Sequence, residues 1–313
     1  MSHRIILDVD TGTDDAIALM VAALSPDIEL VGATTVNGNV HVPVCTENTL
    51  RVFDHIGVKD SIPVYEGMAI PMVRPNFVRE SPSLIHGEYF DLPPAQTAKQ
   101  QQHAVDWLIE TYMQSDGDIT LVPVGPLTNI GMAIQKEPRI LPKIPELVIM
   151  GGGHEVGNMS PSAEFNIWVD PEAAKLVLNC GRPIRLVPLD ATHRALVSTE
   201  DVEQLRALGT PAGDIAAMFI STRISGYDMT QPMSRLGAAP VHDALCVCAI
   251  IDPTIITTKF INVDVETKGE LTDGRTVCDV YHRSKSEPNM HVAFDADAPK
   301  FVRMLLEILG RRR

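Results

Sequence analysis

A chain of 313 residues is long enough to bury a full hydrophobic core, as one large domain or two small ones. With 45% hydrophobic and 21% charged residues it has the make-up of an ordinary soluble globular protein. Its formal charge of -14 excludes nucleic acid and anionic membrane surfaces as natural partners and favours a small neutral or cationic ligand.

The first β-type run, residues 5–9, ends in four carboxylates within eight residues: Asp8, Asp10, Asp14 and Asp15, with Gly12 allowing a tight turn between them. A helical pattern follows over residues 16–24. A second strand is expected over 28–35, ending in Val36-Asn37-Gly38-Asn39, then a helix over 41–56 and a short strand over 62–65. Residues 67–94 carry five prolines and little periodicity, which predicts a long functional loop or a disordered one. A helix over 98–114 leads to a strand over 118–124, and Gly125-Pro126-Leu127-Thr128-Asn129 opens another helix. A strand over 146–150 runs into Gly151-Gly152-Gly153 and a polar loop reaching Asn166. Pro171 suits the first turn of a helix to residue 179, and a strand follows over 183–188. Helices near 198–208 and 211–227, a buried-looking helix after Val241-His242-Asp243, β runs over 255–265, 276–281 and 290–294, and a helix over 298–309 complete the chain.

Strands alternating with helices, without an internal repeat or a dividing linker, predict one α/β domain. Its sheet is open and mainly parallel, a Rossmann-like core with extra strands, flanked by helices. Because the polar clusters around Asp10, Asn39, Val124 and Gly151 each follow a β run, they would converge on the C-terminal edge of that sheet. The five cysteines are scattered without zinc-finger spacing and read as buried, reduced thiols. No signal-peptide pattern precedes the first strand, and the apolar runs are too short to span a bilayer, so a cytoplasmic location is expected.

The acidic run carries the first chemical inference. Alternate strand residues share a face, so Asp8 and Asp10 point the same way. Asp14 and Asp15 fall at a helix start, where the dipole is worth roughly 0.3–1 kcal/mol per carboxylate. Two carboxylates about 5 Å apart repel by roughly 3 kcal/mol at an effective dielectric near 20. Repulsion wins unless protons or a cation enter, and an all-oxygen donor set suits Ca²⁺ or Mg²⁺ rather than zinc. The other residues are less informative by themselves. His242 beside Asp243 could be a helix-start pair, His86 a surface histidine, Tyr227 a core tyrosine. Glu164 and Asn166 alternate as strand or loop residues do.

Taken together, however, these segments resemble a known family. Asp8-Val9-Asp10-Thr11-Gly12-Thr13-Asp14-Asp15 is similar to the N-terminal signature of the inosine-uridine-preferring nucleoside hydrolases. Ile85-His86-Gly87-Glu88, Gly125-Pro126-Leu127-Thr128-Asn129, Met150-Gly151-Gly152, Ala163-Glu164-Phe165-Asn166 and His242-Asp243 match further family segments in order. The resemblance implies a Ca²⁺-dependent enzyme that hydrolyses ribonucleosides to ribose and free base, pyrimidine-preferring or broad in specificity. It implies Asp10, Asp15, Asp243 and the Val124 carbonyl as calcium ligands, and Asp14, Asn39, Asn158, Glu164 and Asn166 on the ribose hydroxyls. Asp10 would take the proton of the attacking water, His242 would help the base leave, and His86 and Tyr227 would lie against the base. A homodimer or homotetramer is expected on the same ground. Thr11 stands where many members have Pro, and Val124 where Thr is frequent, a swap a backbone ligand tolerates.

Two other readings remain. Asp8-x-Asp10 after a strand resembles the nucleophile and acid of haloacid-dehalogenase-like phosphatases, although Gly12 lacks the hydroxyl wanted there and Asp14 and Asp15 stay unexplained. A calcium-dependent sugar-binding protein without turnover would keep fold and metal alone.

Overall fold

The computed structural model describes residues 2–58, 61–77 and 83–311. Twelve strands form among them: β1 (His3–Val9), β2 (Ile28–Thr35), β3 (Val64–Glu66), β4 (Ile119–Pro123), β5 (Leu147–Met150), β6 (Ile184–Val187), β7 (Leu196–Ser198), β8 (Ala238–Pro240), β9 (Ile256–Ile261), β10 (Val263–Val265), β11 (Thr276–Cys278) and β12 (Met290–Ala296). Eight of them make one sheet in the order β3-β2-β1-β4-β5-β6-β12-β9. All its neighbours pair in parallel except β9, which runs antiparallel to β12 at the edge. β7 with β8 and β10 with β11 form small antiparallel pairs outside it.

The apolar runs are continuous because both faces of the sheet are covered. Ile5, Leu7 and Val9 enter one core, shared with helices Thr13–Leu24 and His242–Ile251, and Ile6 enters the other. β5 divides the same way, Val148 and Met150 to the first core, Leu147 and Ile149 to the second. The two-residue period of a strand thus builds two cores from one run, and a single α/β domain results.

Strand order 3-2-1-4-5-6 reverses between β1 and β4, and in open α/β sheets the crevice at such a reversal lies outside the C-terminal strand ends. Asp10 leaves β1 there and Val124-Gly125 leaves β4, so the topology itself sets the acidic run beside the second polar cluster.

Three expectations shift. The helix expected over 98–114 begins only at Ala104, capped by the His103 ring, which accepts the Val105 N–H at 3.3 Å. Before it, the Gln100 N–H is already taken by the Val64 carbonyl at 2.8 Å, which holds that stretch extended beside β3. The polar loop expected to reach Asn166 ends at Glu164, which caps the short helix Phe165–Val169 in which Asn166 lies. The described parts of the loop over 67–94 carry no helix or extended strand, yet they are tied down. Met68 N–H reaches Asn129 at 2.8 Å and Met72 N–H reaches Asp170 at 2.8 Å. Arg74 grips Glu172 through both carboxylate oxygens and pairs with Asp273. On the far side Asn48 holds Glu88 and Phe90, and Arg51 holds the Phe90 and Leu92 carbonyls. Residues 78–82 lie outside the described residues. No helix among those described is long and apolar enough to cross a membrane.

Candidate active site

A pocket of about 230 Å³ opens at the switch point. Of the residues expected at the site, Asp10, Asp14, Asn39, His86, Val124, Asn158, Glu164, Asn166, Tyr227, His242 and Asp243 all line it. Asp15 alone stands behind the wall, fully buried. Its Oδ1 accepts the Asp10 N–H at 3.1 Å and its Oδ2 the Gly12 N–H at 2.9 Å, which closes the turn from β1 into the helix. Asp8 is also absent from the pocket. Its Oδ1 accepts Thr34 Oγ1 at 2.5 Å and Asn129 Nδ2 at 2.7 Å, so this carboxylate ties β1 to β2 and to helix Thr128–Lys136. Of the four acidic residues, then, Asp8 has a structural use.

Three helix starts converge here. Asp14 and Asp15 occupy the first turn of Thr13–Leu24, His242 and Asp243 that of His242–Ile251, and Glu164 caps the third, accepting the Asn166 N–H at 2.9 Å. Free N–H groups and positive dipole ends soften the cost of so much acid. Gly12 is needed for space rather than for an unusual turn. Its φ is -98°, and a Cβ on it would stand 2.2 Å from His86 Nδ1. Gly38 plays the same part beside Asp10, where a Cβ would meet Oδ2 at 2.2 Å.

Asp14, Asp15 and Asp243 bring carboxylate oxygens within 4.8 Å of one another, all buried. Burial and then the charge of Asp14 push Asp15 up to about 7. Burial, then Asp14, Asp15 and Asp10, raise Asp243 well above the usual carboxylate range, and burial followed by Asp15 does the same to Asp10. Asp14 goes the other way. Burial opposes its charge, but Arg223 first and then His86 outweigh it and hold the carboxyl below its ordinary value. Such a set of buried oxygens, mutually repelling, fits a hard cation. Asp10 stands beside the three with Oδ2 on the Asn39 N–H at 2.7 Å. The Val124 carbonyl accepts Asn166 Nδ2 at 2.7 Å and keeps its second lone pair.

His242 is held from both sides. Its Nε2 is 2.7 Å from the Tyr227 hydroxyl and its Nδ1 2.7 Å from Thr192 Oγ1. Burial, then Arg223, keep it neutral by lowering its pKa well below the usual value. The ring of His193 lies 5.7 Å away, and burial lowers its pKa to about 4 although Asp190 opposes the shift. An unfolded chain binds that proton at the ordinary value of 6.5, so the stability due to a neutral His193 is complete above pH 6.5 and is lost as pH falls through 4. The difference amounts to about 3 kcal/mol. His193→Leu is therefore expected to lose less stability than the parent between pH 7 and pH 4, in urea unfolding at each pH. Equal losses in the two proteins would contradict this.

The sequence reading missed Ser83, Ile85, Met150, Met159, Phe165, Thr230 and Gln231, which also line the pocket, and Arg223, which is wholly buried behind Asp14. Ile85, Met150 and Phe165 lie inside segments quoted for the family likeness, and that position alone could have suggested them.

Fold and pocket together define a Rossmann-like α/β protein with an acidic, sugar-sized site at its sheet reversal. Residues 5–303 match the family model of inosine-uridine preferring nucleoside hydrolases. The chain is 42% identical over 285 residues to the pyrimidine-specific ribonucleoside hydrolase RihB of Escherichia coli strain SE11, covering 88% of this chain and 87% of that one. The solved structure of a purine-preferring ribonucleoside hydrolase from Gardnerella vaginalis superposes with a TM-score of 0.90 at 34% identity, over 98% of each chain. A plant nucleoside hydrolase superposes with a TM-score of 0.91 at 28% identity, over 99% of each. The chain belongs to the inosine-uridine preferring nucleoside hydrolase family, enzymes that cleave the N-glycosidic bond of ribonucleosides. This membership, spanning nearly the whole chain, removes the phosphatase reading of Asp8-x-Asp10.

Proposed function

We propose that the protein is a calcium-dependent hydrolase of pyrimidine ribonucleosides. The observation that carries the reading is the convergence of Asp10, Asp14 and Asp243, from two helix starts and the end of β1, on one pocket, with the carboxylate of Asp15 just behind its wall and within 4.8 Å of those of Asp14 and Asp243. Asp10, Asp15, Asp243 and the Val124 carbonyl would hold the calcium, with Asp14 close enough to join or to orient its neighbours. Bound there, the ion would supply a fixed positive charge that orders water and a vicinal diol beside the carboxylates.

The side chains account for the rest. Asp14, Asn39, Asn158, Glu164 and Asn166 offer carboxylate and amide groups for the ribose hydroxyls, and all five line the pocket. Asp10 takes a proton from water as its oxygen attacks the anomeric carbon. The electron pair of the breaking C–N bond passes to the base. Positive charge growing on the ribose is favoured by the surrounding carboxylates. On the leaving side, the phenol of Tyr227 and the ring of His242 share one hydrogen bond at 2.7 Å and both face the cavity. A proton reaches the departing base through this pair. His86, at the same opening, lies against the base.

The pyrimidine preference rests on the 42% identical relative and on His242 with its tyrosine partner. A homodimer or homotetramer fits the exposed apolar side chains Phe260, Leu271 and Tyr281, and light scattering measures it.

Initial rates on uridine, cytidine, inosine and adenosine, with calcium and after chelation, test the reading. Uridine and cytidine are expected to be cleaved fastest and chelation to abolish turnover. 2′-Deoxyuridine should fall by on the order of 10⁴-fold, because buried groups built for a hydroxyl are left unpaired. Calcium and sugar binding without release of any base would favour the non-catalytic reading instead.

A further inference from the structure

Arg223 has no place in the chemistry above, yet among the described residues it is the largest side chain wholly withdrawn from solvent. It projects from helix Pro211–Thr230 into the acidic cluster. Its Nη1 lies 2.8 Å from Asp14 Oδ1 and 3.1 Å from Thr13 Oγ1, and its Nε donates to the Pro240 carbonyl at 2.9 Å. The guanidinium carbon sits 5.5 Å from the centre of the Tyr227 ring. Among the described residues no other Lys or Arg forms an ion pair with Asp10, Asp14, Asp15, Asp243 or Glu164.

Three parts of the pocket thus meet at one planar group. Thr13 and Asp14 begin the first helix, Pro240 ends β8 two residues before His242, and Tyr227 is the hydrogen-bond partner of His242. Arg223 Nη2 and Asp14 Oδ1 are both buried without a hydrogen-bond partner among the described residues, so Arg223 holds Asp14 through charge at 2.8 Å rather than through an aligned hydrogen bond. A buried ion pair with a spare donor is a poor way to gain stability, since apolar residues of the same volume serve as well or better. Its advantage is placement: the Nε and Nη1 hydrogen bonds to Pro240 and Thr13 fix the plane of the guanidinium and hold its charge 2.8 Å from Asp14, which a single ammonium cannot reproduce.

We propose that Arg223 is a positioning residue for the reaction. It fixes the carboxylate of Asp14 toward the sugar and locks that carboxylate to the strand and tyrosine that set His242. This role rests on the ribonucleoside hydrolase reading, because Asp14 matters to the sugar only there. Arg223 touches no substrate and acts wholly through Asp14, Pro240 and Tyr227.

The test is a double-mutant cycle of Arg223→Lys with Asp14→Asn, read as kcat/KM for uridine. Lysine keeps the charge in the buried site, so the chain retains a route to folding, and thermal unfolding of all four proteins confirms that each is folded. A displacement of about 1 Å at a catalytic carboxylate costs on the order of 100-fold. Arg223→Lys is expected to lose that factor in the parent and less than about 5-fold in the Asp14→Asn background, since a misplaced amide has little left to lose. A general structural role would give the same loss in both backgrounds, and that result overturns the proposal. So does parental activity in Arg223→Lys alone. If the parent protein cleaves no ribonucleoside, both this role and the function fall; if it does and the losses are additive, only the role of Arg223 falls.

Discussion

Asp10→Asn is expected to lower kcat/KM for uridine by at least about 10³-fold while leaving the protein folded. General-base removal alone costs about 10²- to 10⁴-fold, and a metal ligand is weakened at the same stroke. Asparagine is the informative replacement. It preserves the side-chain oxygen that can accept the Asn39 N–H, and it fits beside Gly38, where no larger group has room. It also removes one of four crowded carboxylates, whose mutual repulsion and burial oppose ionisation. In calcium-free buffer the variant should therefore melt no lower than the parent, and with calcium its gain in melting temperature should be smaller. Calorimetric scans with and without calcium, set beside uridine kinetics, measure both halves. A variant that folds and still turns over uridine at a tenth of the parental rate would remove Asp10 from the chemistry.

The second large effect lies on the other side of the bond. His242→Ala is expected to slow uridine by about 10²- to 10³-fold, the usual worth of a positioned acid. Tyr227→Phe, which deletes only the hydroxyl 2.7 Å from His242 Nε2, should fall in the same range. Neither should slow a nitrophenyl riboside by more than about 5-fold, because that leaving group departs as a stable anion without a proton. His242 has both ring nitrogens engaged and is held neutral by burial and then by Arg223. A lone imidazolium acid is not what the geometry provides; a shared proton between phenol and imidazole is. Steady-state kinetics of both variants on both substrates decides the matter. Equal slowing of the two substrates would rule out a leaving-group role, and a silent Tyr227→Phe would leave His242 to act alone.

Asp10, Asp14 and Asp15 were legible from residues alone. A strand that stops at an acidic run and a helix that starts within it leave few options, since like charges at that spacing need a counter-charge. The alternation of strands with helices announced a covered, mainly parallel sheet, and the strand expected over 28–35 has those bounds. His242, Glu164 and Asn166 were readable only through their likeness to family segments, because a single polar residue at a helix start has many ordinary explanations. Asp8 misled by parity. It shares a strand face with Asp10, but one residue pair further back that face is interior, and Thr34 and Asn129 absorb it.

Local pattern determines what is encoded by neighbours in the chain: the strand and helix periods, the acidic turn, the caps, and the class of chemistry that four close carboxylates demand. Only the tertiary structure decided which of those carboxylates face the cavity and which are consumed as struts. It also decided that Tyr227 meets His242 and that Arg223 reaches across 209 positions of sequence to Asp14. The physical reason is range. Periodicity and propensity act over a few residues, whereas a buried ion pair or a relay of hydrogen bonds depends on where the sheet reverses and which helices that reversal brings together.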